Sequence, residues 1–131
     1  MRAAIYRGKG DLEVAETAVP QIGPSEVRVA VEYCGVCGTD LHDVLDGWGV
    51  PGSIGGHEWS GRVVEVGSDV LLETGTLIVG HPGNACGRCK ACLASRPNLC
   101  EDRPTAGVEQ PHGAFADYVV IDSDQAVTVP A

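Results

Sequence analysis

The sequence predicts a mainly β fold, a partly open barrel with one or two short helices, on three observations. Glycine supplies 18 of 131 residues, about twice the ~7% of ordinary proteins, and it punctuates short apolar runs. Those runs are rich in β-branched residues, and several alternate apolar with polar positions, the period of a half-buried strand. Only one segment carries a start signal for a helix.

In chain order the candidate strands are Arg2 to Tyr6, Leu12 to Thr17, Glu26 to Tyr33, Gly61 to Gly67, Thr76 to Gly80, Phe115 to Ile121 and Ala126 to Pro130. The helix candidate is "TDLHDVLDG", in which Thr39 is expected to cap the amide of His42 and Gly47 to end the turn. Residues 83 to 104 are polar, cysteine-rich and too poor in apolar side chains to build a core. Repeats and low-complexity tracts are absent, and 131 residues fit one domain able to bury most of its surface.

Nine basic against 18 acidic side chains give a formal charge of -9. That charge repels a phosphate backbone, so no nucleic-acid partner is expected. There is no run of ~18 apolar residues and no apolar signal core at "MRAAIYRGKG", which predicts a soluble, cytoplasmic protein with no membrane partner. In a reducing compartment six cysteines read as metal ligands or reactive groups rather than disulfides.

Four of them, Cys86, Cys89, Cys92 and Cys100, stand at C-x2-C-x2-C-x7-C. Four thiolates so close in sequence can converge on one tetrahedral zinc, a closed structural site without an open coordination position. Gly87 suits the knuckle between the first two, since glycine accepts positive φ. The alternatives are an iron–sulfur cluster and unliganded thiols. The ferredoxin run is close, but its last spacing is three with a following proline, and here it is seven without one.

Chemistry needs a second centre. In "GGHEWSG" the histidine and glutamate are adjacent; a metalloprotease motif would need histidine at position 61, which is Gly61, and a zinc deaminase needs His-x-Glu. What remains is His57 and Glu58 as ligands or near-ligands, together with a thiolate from elsewhere. "CGVCGTDLH", from Cys34 to His42, leaves a redox pair, half a metal site or a structural turn open by spacing alone.

Taken together, "CGVCGTDLH", "GGHEWSGRVVEVGSDV", "CGRCKACLASRPNLC" and "HGAFADYVVID" resemble the catalytic, GroES-like domain of zinc-dependent medium-chain alcohol dehydrogenases, over nearly the whole chain. The resemblance implies a GroES-like barrel, with Cys37 and His57 as ligands of a catalytic zinc. It implies Glu58 as a third ligand, or as a carboxylate able to enter the coordination sphere. Asp40 would accept a hydrogen bond from the other ring nitrogen of His57. Thr39 and His42 would form a proton relay that also contacts the cofactor ribose. In that family zinc lowers the pKa of the substrate alcohol so that hydride can pass to NAD or NADP. Cys34 matches no ligand and reads as a small apolar residue at a strand end. Trp59 and Phe115 are expected to pack, Trp48 to pack or to line a cleft, and His81 and His112 to be structural. "GTLIVGH" departs from the family's "GDRV" turn, without loss of a metal ligand.

No Gly-x-Gly-x-x-Gly joins a strand to a helix in this chain. The expectation is therefore one domain, residues 1 to 131, with the Rossmann cofactor domain absent and the fragment alone inactive. The complete enzyme is expected to be a homo-oligomer acting on a small-molecule alcohol, the fragment a monomer. The competing reading is a zinc-binding GroES-like module that acts through protein contacts without catalysis.

Overall fold

The computed structural model describes residues 1–81, 85–102 and 113–130. Seven strands form where the seven apolar runs lie. β1 (Arg2–Gly8) and β2 (Asp11–Glu16) make an antiparallel hairpin, turned by Gly10 at φ +75°. β3 (Glu26–Gly35), β4 (Glu58–Val66), β5 (Leu77–Gly80), β6 (Tyr118–Asp122) and β7 (Ala126–Thr128) make a second, antiparallel sheet in the order β6-β3-β4-β5-β7.

That order forces the sheet to curl. β6 and β7 sit at its two edges, four strand spacings apart, which would be roughly 19 Å in a flat sheet. Only the 3₁₀ turn Ser123–Gln125 separates them in sequence, and four Cα steps reach at most ~15 Å. The result is a half-barrel, with its open seam between β6 and β7. Register shifts between Arg28 and Val29, and between Val31 and Tyr33, add bend where β3 meets β4. Gly61 belongs to this bend: a Cβ there would press on the Ala30 carbonyl and lie 2.8 Å from Val29 Cγ1.

Inward-facing residues of alternating strand positions fill the half-barrel: Val27, Val29, Val63, Ile78 and Val119, with Ala114. A smaller cluster of Ala3, Ile5 and Ile54, with Phe115 against it, fixes the hairpin. Backbone bonds from Ala4 N–H to Phe115 O (2.8 Å) and Tyr6 N–H to Ser53 O (2.9 Å) complete the attachment.

Several boundaries differ from the sequence expectation, and two of them bear on the site. β4 starts at Glu58 rather than Gly61, because β3 runs on through Cys34 and Gly35 and these pair with Trp59 and Glu58. The helix starts earlier too. α1 is Gly38–Leu41, and its cap is Cys37, not Thr39: the Cys37 Sγ accepts the Thr39 N–H at 3.3 Å while Asp40 returns a carboxylate to the Cys37 N–H. It continues as a π-helical turn, His42–Asp46, closed as expected by Gly47 at φ +84°. Among the described residues no helix is long and apolar enough to cross a membrane.

Candidate metal centres and cleft

The cysteine lobe is built from local turns. Gly87 takes φ +69°, Cys89 begins the short helix α2 (Lys90–Leu93), which carries Cys92, and the 3₁₀ turn Pro97–Leu99 delivers Cys100. All four Sγ atoms lie within 4.8 Å of one another, with Cys89 3.5 Å from Cys92 and 4.0 Å from Cys100. A tetrahedron of sulfurs at ~2.3 Å from zinc has edges of about 3.8 Å, so the thiol set fits that ion. Backbone N–H groups point at the sulfurs: Cys86 N–H meets Cys100 Sγ and Cys89 N–H meets Cys86 Sγ, each at 3.3 Å. Amides of Cys92 and Glu101 pull the Cys89 thiol down to about 6. Desolvation and the neighbouring Cys89 push Cys92 up to about 12, as when two adjacent thiols share one negative charge.

The second cluster sits where α1 faces the start of β4. Cys37 Sγ lies 3.1 Å from His57 Nε2, and the ligating atoms of Cys37, Asp40 and His57 all fall within 4.8 Å. A zinc bound by both would hold sulfur and nitrogen about 3.6 Å apart, a separation half an ångström wider. Asp40 is 6% exposed; one carboxylate oxygen takes the Cys37 N–H at 2.8 Å and the other faces His57 Nδ1 at 3.6 Å. With Nδ1 turned to a carboxylate, Nε2 is the nitrogen offered to a metal.

Glu58 does not join this group. Its carboxylate lies over Gly35, where a Cβ would come within 3.1 Å of Oε2. Cys34 also stands apart, packed beside the main core with its Sγ donating to Gly35 O at 3.6 Å, and burial followed by the Asp40 charge pushes its thiol up to about 11. A thiol so reluctant to ionise is no partner for a cycling dithiol.

A cleft of about 210 Å³ opens beside the second cluster, reaching from Thr39, Asp40 and His57 past Trp48 to Trp59 and Ile121 at the seam of the half-barrel. Thr39 lies on this cleft. His42 is one turn further on and engages Asp46 through Nδ1 at 2.6 Å, while its ring stacks on Trp48 at 4.7 Å. The His42 N–H donates to the Thr39 carbonyl, and no side-chain hydrogen bond joins the two among the described residues. Sequence reasoning did not find Asp43 or His81 on the cleft wall, and the pairing of His42 with Asp46 was legible only as an acid four residues downstream on a helix. His112 and residues 83, 84, 103 and 104 of the expected lobe lie outside the described residues.

Known proteins are similar to this chain in sequence and fold. L-threonine 3-dehydrogenase of Cutibacterium acnes is 41% identical over 121 residues, covering 88% of this chain and 35% of that protein. Among solved structures, galactitol-1-phosphate dehydrogenase from Escherichia coli superposes with a TM-score of 0.92 at 30% identity, over 99% of this chain and 38% of that one. An NAD-dependent alcohol dehydrogenase does so at 0.86 and 35%, over 98% and 39%. The chain thus spans well under half the length of its relatives. The model of the alcohol dehydrogenase GroES-like domain matches residues 23–131. Because that match takes in both cysteine clusters, the cleft and the whole curled sheet, the chain belongs to the alcohol dehydrogenase GroES-like domain family.

Proposed function

We propose that residues 1–131 form one GroES-like unit, the alcohol-binding half of a zinc-dependent alcohol or polyol dehydrogenase, whose NAD or NADP is held by a dinucleotide-binding portion of the complete enzyme. The observation that carries this is the convergence of Cys37 and His57 at the mouth of a cleft, with Asp40 behind them and Thr39 beside them. Zinc held there supplies Lewis-acid activation of an alcohol oxygen.

The chain's own residues do the rest. Cys37 and His57 hold the metal, with Glu58 near enough in sequence to join when side chains rearrange. Asp40 faces His57 Nδ1 and leaves Nε2 for the metal, and the Thr39 N–H donates to the Cys37 sulfur. The Thr39 hydroxyl, on the cleft, takes the proton released by the substrate. His42, held through Nδ1 by Asp46, exchanges protons with solvent through Nε2 and completes the exit path with the cofactor ribose. Cys86, Cys89, Cys92 and Cys100 hold a second zinc that folds their lobe. Asp40 and Asp43 line the cleft and no Lys or Arg does among the described residues, which favours an uncharged alcohol over a phosphorylated one.

Cobalt(II) substitution tests the reading. A second cobalt beyond the lobe site should bind, should vanish in His57→Ala, and should change its absorption when a small alcohol is added. A lobe site alone, or a second metal indifferent to alcohol, would instead support an interaction module without catalysis.

A further inference from the structure

Trp59 stands two residues beyond His57 on β4, on the inward face it shares with Gly61 and Val63, and it packs against the main core while also forming part of the cleft wall. Opposite it, at the end of β5, is Gly80. The two fit closely: a Cβ on Gly80 would lie 2.7 Å from indole Cε2, closer than real Cβ contacts come, and 3.1 Å from Nε1. Gly80 has no positive φ, so its backbone does not call for glycine. Its partner Ala126 across the β5–β7 ladder does not call for it either. What requires the missing side chain is the indole lying on it.

We propose that Trp59 is a specificity-determining residue that sets the depth of the alcohol cleft, with Gly80 as the seat that keeps the indole in place. This rests on the reading of that cleft as the alcohol site. The Trp59 indole makes no hydrogen bond among the described residues, so its effect on a ligand is one of shape. The indole shares its end of the cleft with Val119 and Ile121, so the wall around it is apolar. Removing the ring would open a space of the order of the ~150 Å³ apolar cavities that admit benzene. The indole therefore takes up space that a bulkier alcohol would fill, and the preference for small over bulky alcohols belongs to Trp59.

The test is direct binding of 2-propanol and benzyl alcohol to the purified chain, by ligand-observed NMR and calorimetry, which needs no turnover. Trp59→Phe keeps an aromatic ring against the core and guards against loss of fold in Trp59→Ala. Both variants should raise the affinity for benzyl alcohol relative to 2-propanol by 10- to 200-fold, the range that small changes of pocket shape provide. Gly80→Ala, which pushes the indole into the cleft, should weaken both alcohols. An unchanged ratio in folded Trp59→Phe and Trp59→Ala overturns the proposal, as does no binding of either alcohol to any folded variant. If the ratio shifts while cobalt at Cys37 and His57 ignores the alcohols, Trp59 keeps its role and the dehydrogenase reading fails.

Discussion

Asp40 takes the backbone N–H of Cys37 at 2.8 Å, so the residue that would orient His57 also fixes the loop presenting the thiolate. One buried carboxylate thereby faces both proposed ligands. Asp40→Asn keeps an acceptor for the Cys37 N–H but removes the charge facing His57. It should weaken zinc at this site by about 10- to 100-fold, read by competition with a chelator, with stability changed little. Asp40→Ala loses the cap as well and should cost a further ~0.5–2 kcal/mol in urea unfolding.

The two cysteines of the opening motif should behave unequally. Cys37→Ser removes a thiolate from the Cys37–His57 pair and should abolish the second zinc. Cys34→Ser should leave metal content intact and cost about 1 kcal/mol, since a hydroxyl replaces a thiol packed on the core. Equal zinc loss in both would make the pair a two-cysteine knuckle and overturn the assignment.

Cys34 also gives a pH signature. Its thiol is raised from the ordinary 9.0 to about 11, so the native state holds this proton longer than the unfolded chain does. The stability it contributes is complete below pH 9 and is lost as pH rises through about 11. Urea midpoints should therefore fall across that window by an amount worth roughly 1 kcal/mol, well under the full value of the shift because the half-buried thiolate is partly solvated. Cys34→Ala should remove that part of the slope. Alkylation of Cys34 at pH 8 should run about 100-fold slower than that of an unperturbed thiol.

Stripping the lobe zinc should disorder its surroundings without melting the half-barrel. Structural zinc contributes ~10–16 kcal/mol, more than the local turns around Cys86 to Cys100 can replace. Hydrogen exchange after chelation should show protection lost across residues 86–100 and kept at Val27, Val29 and Val63, which pack elsewhere. Iron in the purified protein, or an ordered lobe without metal, would contradict the tetrahedral zinc assignment.

Two glycines should separate close approach from backbone conformation. Gly61→Ala drives a methyl against the Ala30 carbonyl and Val29, and should cost more than ~2 kcal/mol. Gly75, at φ +88° with open space around it, should lose only about 1 kcal/mol when changed to alanine. Paired urea titrations of both variants measure the contrast.

Strands were legible because alternation and glycine punctuation are local, and all seven runs formed sheet. Their edges were less so. Where β4 begins depends on β3 continuing through Cys34, a pairing between residues far apart in sequence. The helix cap escaped because serine-like oxygens are the familiar N-caps, whereas here a cysteine sulfur takes the role and Asp40 completes it. Glu58 was read, from its neighbour His57, as a ligand or near-ligand; β4 begins with it, and its carboxylate lies over Gly35, apart from the Cys37, Asp40 and His57 group. The fit of Trp59 on Gly80 left no trace in either local sequence.

The three-residue turn between β6 and β7 has a kinetic consequence. Because it links the two outermost strands, both edges can be paired at once only when β3, β4 and β5 are side by side, and Val29 must meet Val119 across most of the chain before the core closes. A nascent chain on the ribosome therefore cannot shelter its central strands until nearly all 131 residues have emerged. Folding dominated by such distant pairings is slow, in the millisecond-to-second range rather than microseconds, and the interval leaves bare strand edges open to wrong partners.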